Sequence, residues 1–125
     1  MPAIKHFESP ADDIQRAGGF YRDIFNWELE KWANPENPNM DYWFIKTKDE
    51  KGNLGISGGM LKRQSSEYKV TDSITVGSID EYTIKITEKG GKIVIPKTEI
   101  PNMGYFTVFL DSEGNMLGLY EGKKS

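Results

Sequence analysis

Residues 13–26 read Asp13-Ile14-Gln15-Arg16-Ala17-Gly18-Gly19-Phe20-Tyr21-Arg22-Asp23-Ile24-Phe25-Asn26, and residues 78–91 read Ser78-Ile79-Asp80-Glu81-Tyr82-Thr83-Ile84-Lys85-Ile86-Thr87-Glu88-Lys89-Gly90-Gly91. Each is a capped amphipathic helix. In the first, Ile14, Ala17, Tyr21 and Ile24 fall on one helical face, and in the second Ile79, Tyr82 and Ile86 do so. Asp13 suits an N-cap because its carboxylate can accept a free amide of the first turn. Ser78 and Glu81 form a capping box. Asn26 and Gly90-Gly91 suit the end of a helix, where a left-handed residue is tolerated. The caps Asp13 and Ser78 stand 65 positions apart, and the same offset relates Ile14 to Ile79, Asn26 to Gly91 and Leu29 to Val94. A cap, a core position, a terminator and a strand position in one register mark an internal repeat.

Working outward, each helix has the same neighbours. Strand-like runs at Ile4–Glu8, Trp27–Trp32, Tyr42–Thr47 and Gly55–Arg63 surround the first helix. Val70–Val76, Lys92–Pro96, Tyr105–Leu110 and Met116–Glu121 surround the second, with Asp111–Asn115 as the last turn. The order β-α-β-β-β therefore occurs twice, predicting one α+β domain over 1–125, with module 1 at about 1–65 and module 2 at about 66–125. Gly18-Gly19 departs from the pattern, since mid-helix glycine costs on the order of 1 kcal/mol against alanine. Close packing on the sheet and simple local weakness both remain open as explanations. The turn-rich run Ala33–Asn39 reads as a surface loop or as a lid over a pocket.

With 125 residues, 37% hydrophobic and 28% charged, the chain has the size and composition of one globular domain. Cysteine is absent, which excludes disulfides, thiolate metal sites and a cysteine nucleophile. No run approaches the roughly 18 apolar residues of a membrane helix, and no secretory signal is evident. The expectation is therefore a cytoplasmic protein without a membrane partner. A net charge of −3 argues against nucleic acid as a partner. The short basic pairs Lys62-Arg63 and Lys123-Lys124 read as solvated surface.

The run Ile4-Lys5-His6-Phe7-Glu8, then Asp12–Ala17, then Phe20–Trp27 resembles the opening strand, helix and turn of the glyoxalase/bleomycin-resistance (vicinal oxygen chelate) superfamily. Phe109-Leu110-Asp111-Ser112-Glu113-Gly114-Asn115 is similar to that family's Phe-x-Asp-Pro-x-Gly-Asn turn, with Ser112 in place of proline. The resemblance spans nearly the whole chain and looks like a lactoylglutathione-lyase-related member. It implies two paired β-α-β-β-β modules curled into a cupped mixed sheet around a pocket, and a homodimer.

The resemblance also implies where a divalent metal would sit. The first ligand position falls on His6. The position opening the second module falls on Thr71, and the position on the last strand falls on Gly118. Thr71 is a poor ligand and Gly118 none at all. Asp72 and Glu121 fall on the wrong strand faces by parity. The expectation is no cofactor, with a divalent metal as the competing case. His6 retains three readings: a polar pocket group, a structural histidine or a metal ligand. The letters Gly55-Ile56-Ser57-Gly58-Gly59 match a nucleophile elbow, but a strand follows the serine and the only histidine precedes it, so the match reads as chance. Gly58-Gly59 reads as a bend in the strand.

Candidate ligand-binding residues are His6, Glu8, Met60, Tyr105 and Tyr120, drawn from strand parity and from the mixture of aromatic and polar groups that lines pockets. Three functions follow. The first is a small-molecule-binding protein with a degenerate metal site, sequestering a toxic or antibiotic-like compound. The second is a metal-assisted or His6-dependent lyase or isomerase. The third is an interaction protein with a filled interior.

Overall fold

A computed structural model describes residues 1–33, 41–63 and 65–123. The loop expected at 33–39 therefore lies outside the described residues beyond Ala33, as does Lys124. The protein is a mixed α+β fold with strands β1 (Ala3–Ala11), β2 (Glu28–Lys31), β3 (Tyr42–Lys46), β4 (Ser57–Lys62), β5 (Thr71–Thr75), β6 (Lys92–Ile100), β7 (Gly104–Leu110) and β8 (Met116–Gly122). Its helices are α1 (Ile14–Phe25) and α2 (Ile79–Glu88). The chain forms two compact units, His6–Val70 and Met1–Lys5 with Thr71–Ser125. The change of unit falls at Val70/Thr71, a few residues beyond the expected 65/66.

The repeat is visible in the pairing. In the unit His6–Val70, β1 runs parallel to β4, β4 antiparallel to β3, and β3 antiparallel to β2. In the other unit, β5 runs parallel to β8, β8 antiparallel to β7, and β7 antiparallel to β6. First strand beside last, then a return by antiparallel neighbours, is one topology written twice.

The helices begin where the caps require. Asp13, extended at φ −134°, accepts the Arg16 amide at 3.0 Å, and Ser78 accepts the Glu81 amide at 3.2 Å. Asn26 closes α1 in the left-handed region at φ 59°. In α2 the left-handed residue is Gly90, at φ 94°, one position earlier than the 65-residue offset places it. The second helix is two residues shorter, 10 against 12.

Each helix covers one face of the strands of its own unit. Ile14 of α1 packs on Ala11, Ile45 and Met60, with Phe7, Ala17, Tyr21, Trp27, Leu29 and Trp43 around them. Tyr21 and Trp27 stack at 4.7 Å with their planes 7° apart, which holds the helix end against β2. Burying a side chain of this kind is worth about 1.5–3 kcal/mol. Ile79 of α2 packs on Val76, Phe109 and Leu119.

Gly18 is explained by this packing. A Cβ there would meet Leu29 Cδ2 at 3.3 Å, whereas one on Gly19 would meet nothing within 4 Å. One strand outruns its expected end at proline. β6 passes Pro96 to reach Ile100, because it is the edge of its unit and its register is irregular on either side of Ile95.

Candidate functional site

Strand alternation decides which residues of the first unit share the face turned away from α1. Phe7 and Ala11 pack beneath the helix, so His6, Glu8 and Pro10 point the other way. On β4, Gly59 stands opposite both Glu8 and Phe44 in register, and Leu61 stands opposite Tyr42. His6, Glu8, Gly59, Tyr42 and Phe44 therefore lie on one surface.

Three of these side chains form a hydrogen-bonded cluster. His6 Nε2 lies 2.7 Å from Glu8 Oε1, so the ring nitrogen, when protonated, donates to the carboxylate. The Tyr42 hydroxyl donates to the same carboxylate, 3.0 Å from Oε1 and 3.2 Å from Oε2. Tyr42 Oη is also 3.3 Å from His6 Nε2. The His6 and Glu8 side chains keep 32% and 20% of their surface, which leaves both reachable from solvent. Trp32 and Phe44 continue the surface as an aromatic wall. Trp32 meets Tyr42 at 6.1 Å and Phe44 at 6.3 Å, and Tyr42 meets Phe44 edge-on at 5.5 Å.

Gly59 makes the cluster sterically possible. A Cβ there would lie 1.7 Å from Tyr42 Oη and 2.9 Å from Glu8 Oε2. The Gly58-Gly59 pair, read from sequence as a bend, lies within β4 and gives room for Tyr42. Strand alternation alone puts Tyr42 and Phe44 on a common face. The direction of that face is set by the register between β3 and β4.

The remaining candidates are not part of this cluster. Met60 is a correction: it is fully buried beneath α1, on the sheet face opposite Glu8. Alternation along β4 puts Gly59 beside Glu8 and turns Met60 into the core. Tyr105 and Tyr120 belong to the second unit. Register pairs Tyr105 with Glu121 and Tyr120 with Phe106, so the two tyrosines occupy opposite faces. Tyr105 packs on the second core with Lys97 Nζ 4.6 Å from its ring, and Tyr120 donates to the Met103 carbonyl at 2.6 Å. A hollow of about 800 Å³ borders Pro10, Asp12, Arg63 and Lys69. Its guanidinium, on Arg63, is already committed to Asp12 and to the carbonyls of Pro10 and Tyr68.

The sequence pattern of the Glyoxalase/Bleomycin resistance protein/Dioxygenase superfamily matches residues 3–119. The chain belongs to this superfamily. A glyoxylase-like domain-containing protein of Didymella fabae is 29% identical over 115 residues, covering 90% of this chain and 88% of that one. Among solved structures, a variant of the methylmalonyl-CoA epimerase of Streptomyces coelicolor, in complex with 2-nitronate-propionyl-CoA, superposes with a TM-score of 0.62 at 17% identity, covering 97% of each chain. A hypothetical protein of Bacillus halodurans gives 0.63 at 14% identity, over 99% of this chain and 96% of that one.

A divalent metal needs several donors converging on one point. Among the described residues no three of His, Cys, Asp and Glu stand close enough to hold an ion. His6 and Glu8 are bonded to each other. A Cβ on Gly118 would lie 3.7 Å from Thr71 Oγ1 and 3.8 Å from Ser73 Oγ, so hydroxyls surround the position at which the resemblance implies a ligand. The Glu121 carboxylate is buried and accepts the Ile79 amide at 2.7 Å.

Proposed function

We propose that this chain is a small-molecule-binding member of the superfamily that works without a divalent metal, sequestering a toxic or antibiotic-like compound in the cytoplasm as a homodimer. The observation that carries the reading is the His6–Glu8–Tyr42 cluster set beside the aromatic surfaces of Trp32 and Phe44. Flat apolar area next to a few fixed polar groups is what a planar ligand with one polar substituent requires. Trp32 and Phe44 supply the stacking area, and Glu8 and Tyr42 orient the polar group. His6 holds the carboxylate in place.

The test has two parts. Elemental analysis after incubation with nickel, zinc, manganese and iron is expected to find no stoichiometric metal. A thermal-shift screen of planar aromatic compounds, followed by tryptophan fluorescence titration, is expected to find ligands whose affinity falls about tenfold or more in Glu8→Gln and Trp32→Ala. A tightly held metal, or ligands indifferent to both substitutions, overturns the reading.

A second reading has its own support, because Tyr42 Oη lies within reach of both His6 and Glu8. That arrangement suits proton transfer next to a carbonyl, as in a lactoylglutathione-lyase-related lyase or isomerase. Deuterium incorporation from heavy water into carbonyl compounds, abolished by His6→Ala, would select this reading over simple binding.

A further inference from the structure

The outer side of α1 carries an apolar surface that nothing in the site above uses. Phe20 and Ile24 are 56% and 57% exposed, one helical turn apart, so Ile24 leaves the core-facing stripe expected of it, and the Phe20 ring is propped edge-on against Tyr21 at 5.3 Å. Arg16 and Asp23 fall on the same stripe by helical periodicity, and both are exposed. Among the described residues neither has an ion-pair partner, although α2 pairs Lys85 with Glu81 along the helix and Asp80 with Lys97 of β6. Gly19 borders the stripe, and a Cβ there would meet nothing within 4 Å, so packing among the described residues does not account for the glycine.

The repeat shows that the fold does not demand this stripe. The 65-residue offset puts Glu81, Lys85 and Lys89 of the α2 segment at the positions of Arg16, Phe20 and Ile24. At these three positions α2 presents charge to water, with the exposed Ile84 at the position of Gly19, whereas α1 presents an arginine, a phenylalanine and an isoleucine. Scattered apolar residues need no explanation, but two on one stripe beside unpaired charges do.

We propose that this stripe is the docking face for a second copy of the chain, α1 against α1 in antiparallel orientation about a two-fold axis level with Gly19 and Phe20. The occupant follows from charge complementarity. In such a pair Arg16 stands level with the partner's Asp23, and Asp23 with the partner's Arg16, because a two-fold interface repeats each contact. A parallel pair would set arginine on arginine. The paired Phe20 rings meet at the centre, and Gly19 permits close approach of the two backbones. The face lies on the side of the strands opposite the His6 cluster; the proposal rests on the homodimer part of the reading above and is tested apart from ligand binding at that cluster.

Sedimentation equilibrium of the full chain tests the assignment. The wild type is expected to dimerise. Phe20→Glu is expected to abolish dimers, and Arg16→Asp or Asp23→Arg to raise the dissociation constant about tenfold or more by setting like charges together twice. The combined variant Arg16→Asp with Asp23→Arg is expected to recover to within about threefold of wild type, since the pairs re-form with reversed sign. These side chains are exposed, and circular dichroism verifies that each variant folds. A wild type that stays monomeric, dimers indifferent to Phe20→Glu, or single reversals not rescued by the double one overturns the proposal. Fluorescence titration on the same variants keeps this outcome distinct from failure of ligand binding.

Discussion

Tyr42 occupies the space that a side chain at Gly59 would fill. A Cβ on Gly59 would lie 1.7 Å from Tyr42 Oη and 2.2 Å from the ring carbon that bears it. Gly59→Ala therefore forces the tyrosine away from the Glu8 carboxylate, which breaks the cluster without entering the core beneath α1. The expected cost is about 1–3 kcal/mol of stability, as for other overpacked sites. In a Tyr42→Ala background the same substitution is expected to cost far less, and urea denaturation of the four proteins measures the coupling.

Glu121 performs a structural task in the second unit. Its carboxylate accepts the amide of Ile79, the first residue of α2, and only 8% of the residue is exposed. Removing the acceptor leaves a buried amide unsatisfied at a helix start. Glu121→Ala is expected to lose about 1–3 kcal/mol, and Glu121→Gln, which keeps an acceptor oxygen, less than half of that loss. Equal losses in the two variants would argue against the hydrogen bond as the cause.

Most of the fold was legible because its signals are local. Asp13, Ser78 and Asn26 announce helix ends within a few residues of themselves, and the 65-residue offset converts one module's pattern into the other's. The site was legible only in part. Parity along β1 put His6 and Glu8 together, since both lie on one strand. Met60 was misplaced and Tyr42 left without a direction because their faces depend on register between strands far apart in sequence. One residue of register reverses every side chain on a strand. Gly59 carried the missing signal, since a buried glycine inside a strand marks close approach of another group.

Gly104 and Gly114 both adopt positive φ, yet they predict different costs. Gly104 has φ 141°, and a Cβ on it would lie 2.1 Å from the Glu121 carbonyl oxygen, a backbone atom that cannot swing aside. Gly114, at φ 82°, has open space around it. Gly104→Ala is expected to cost at least about 3 kcal/mol or to prevent folding. Gly114→Ala should show only the left-handed penalty of about 1–2 kcal/mol. Thermal melts of the two variants compare them directly, and similar melting temperatures would refute the argument from crowding.

Two turns share one acid-sensitive device. Asp111 accepts the Asn115 amide at 2.9 Å and the Glu113 amide at 2.8 Å, and Asp49 accepts those of Asn53 and Lys51, each at 2.9 Å. In both, the amide four residues on is the main cause that holds the carboxyl below its ordinary value of 3.8. A group with a depressed folded value stabilises the fold above its unfolded value and loses that contribution as pH falls through the folded one. Asp111→Ala is therefore expected to melt below wild type at neutral pH, with the gap closing under acid as the native carboxylate is protonated. Melting both proteins from about pH 7 to about pH 2 tests the linkage. A gap that stays constant over that range would mean that the oxygen's position, and not its charge, holds the turn.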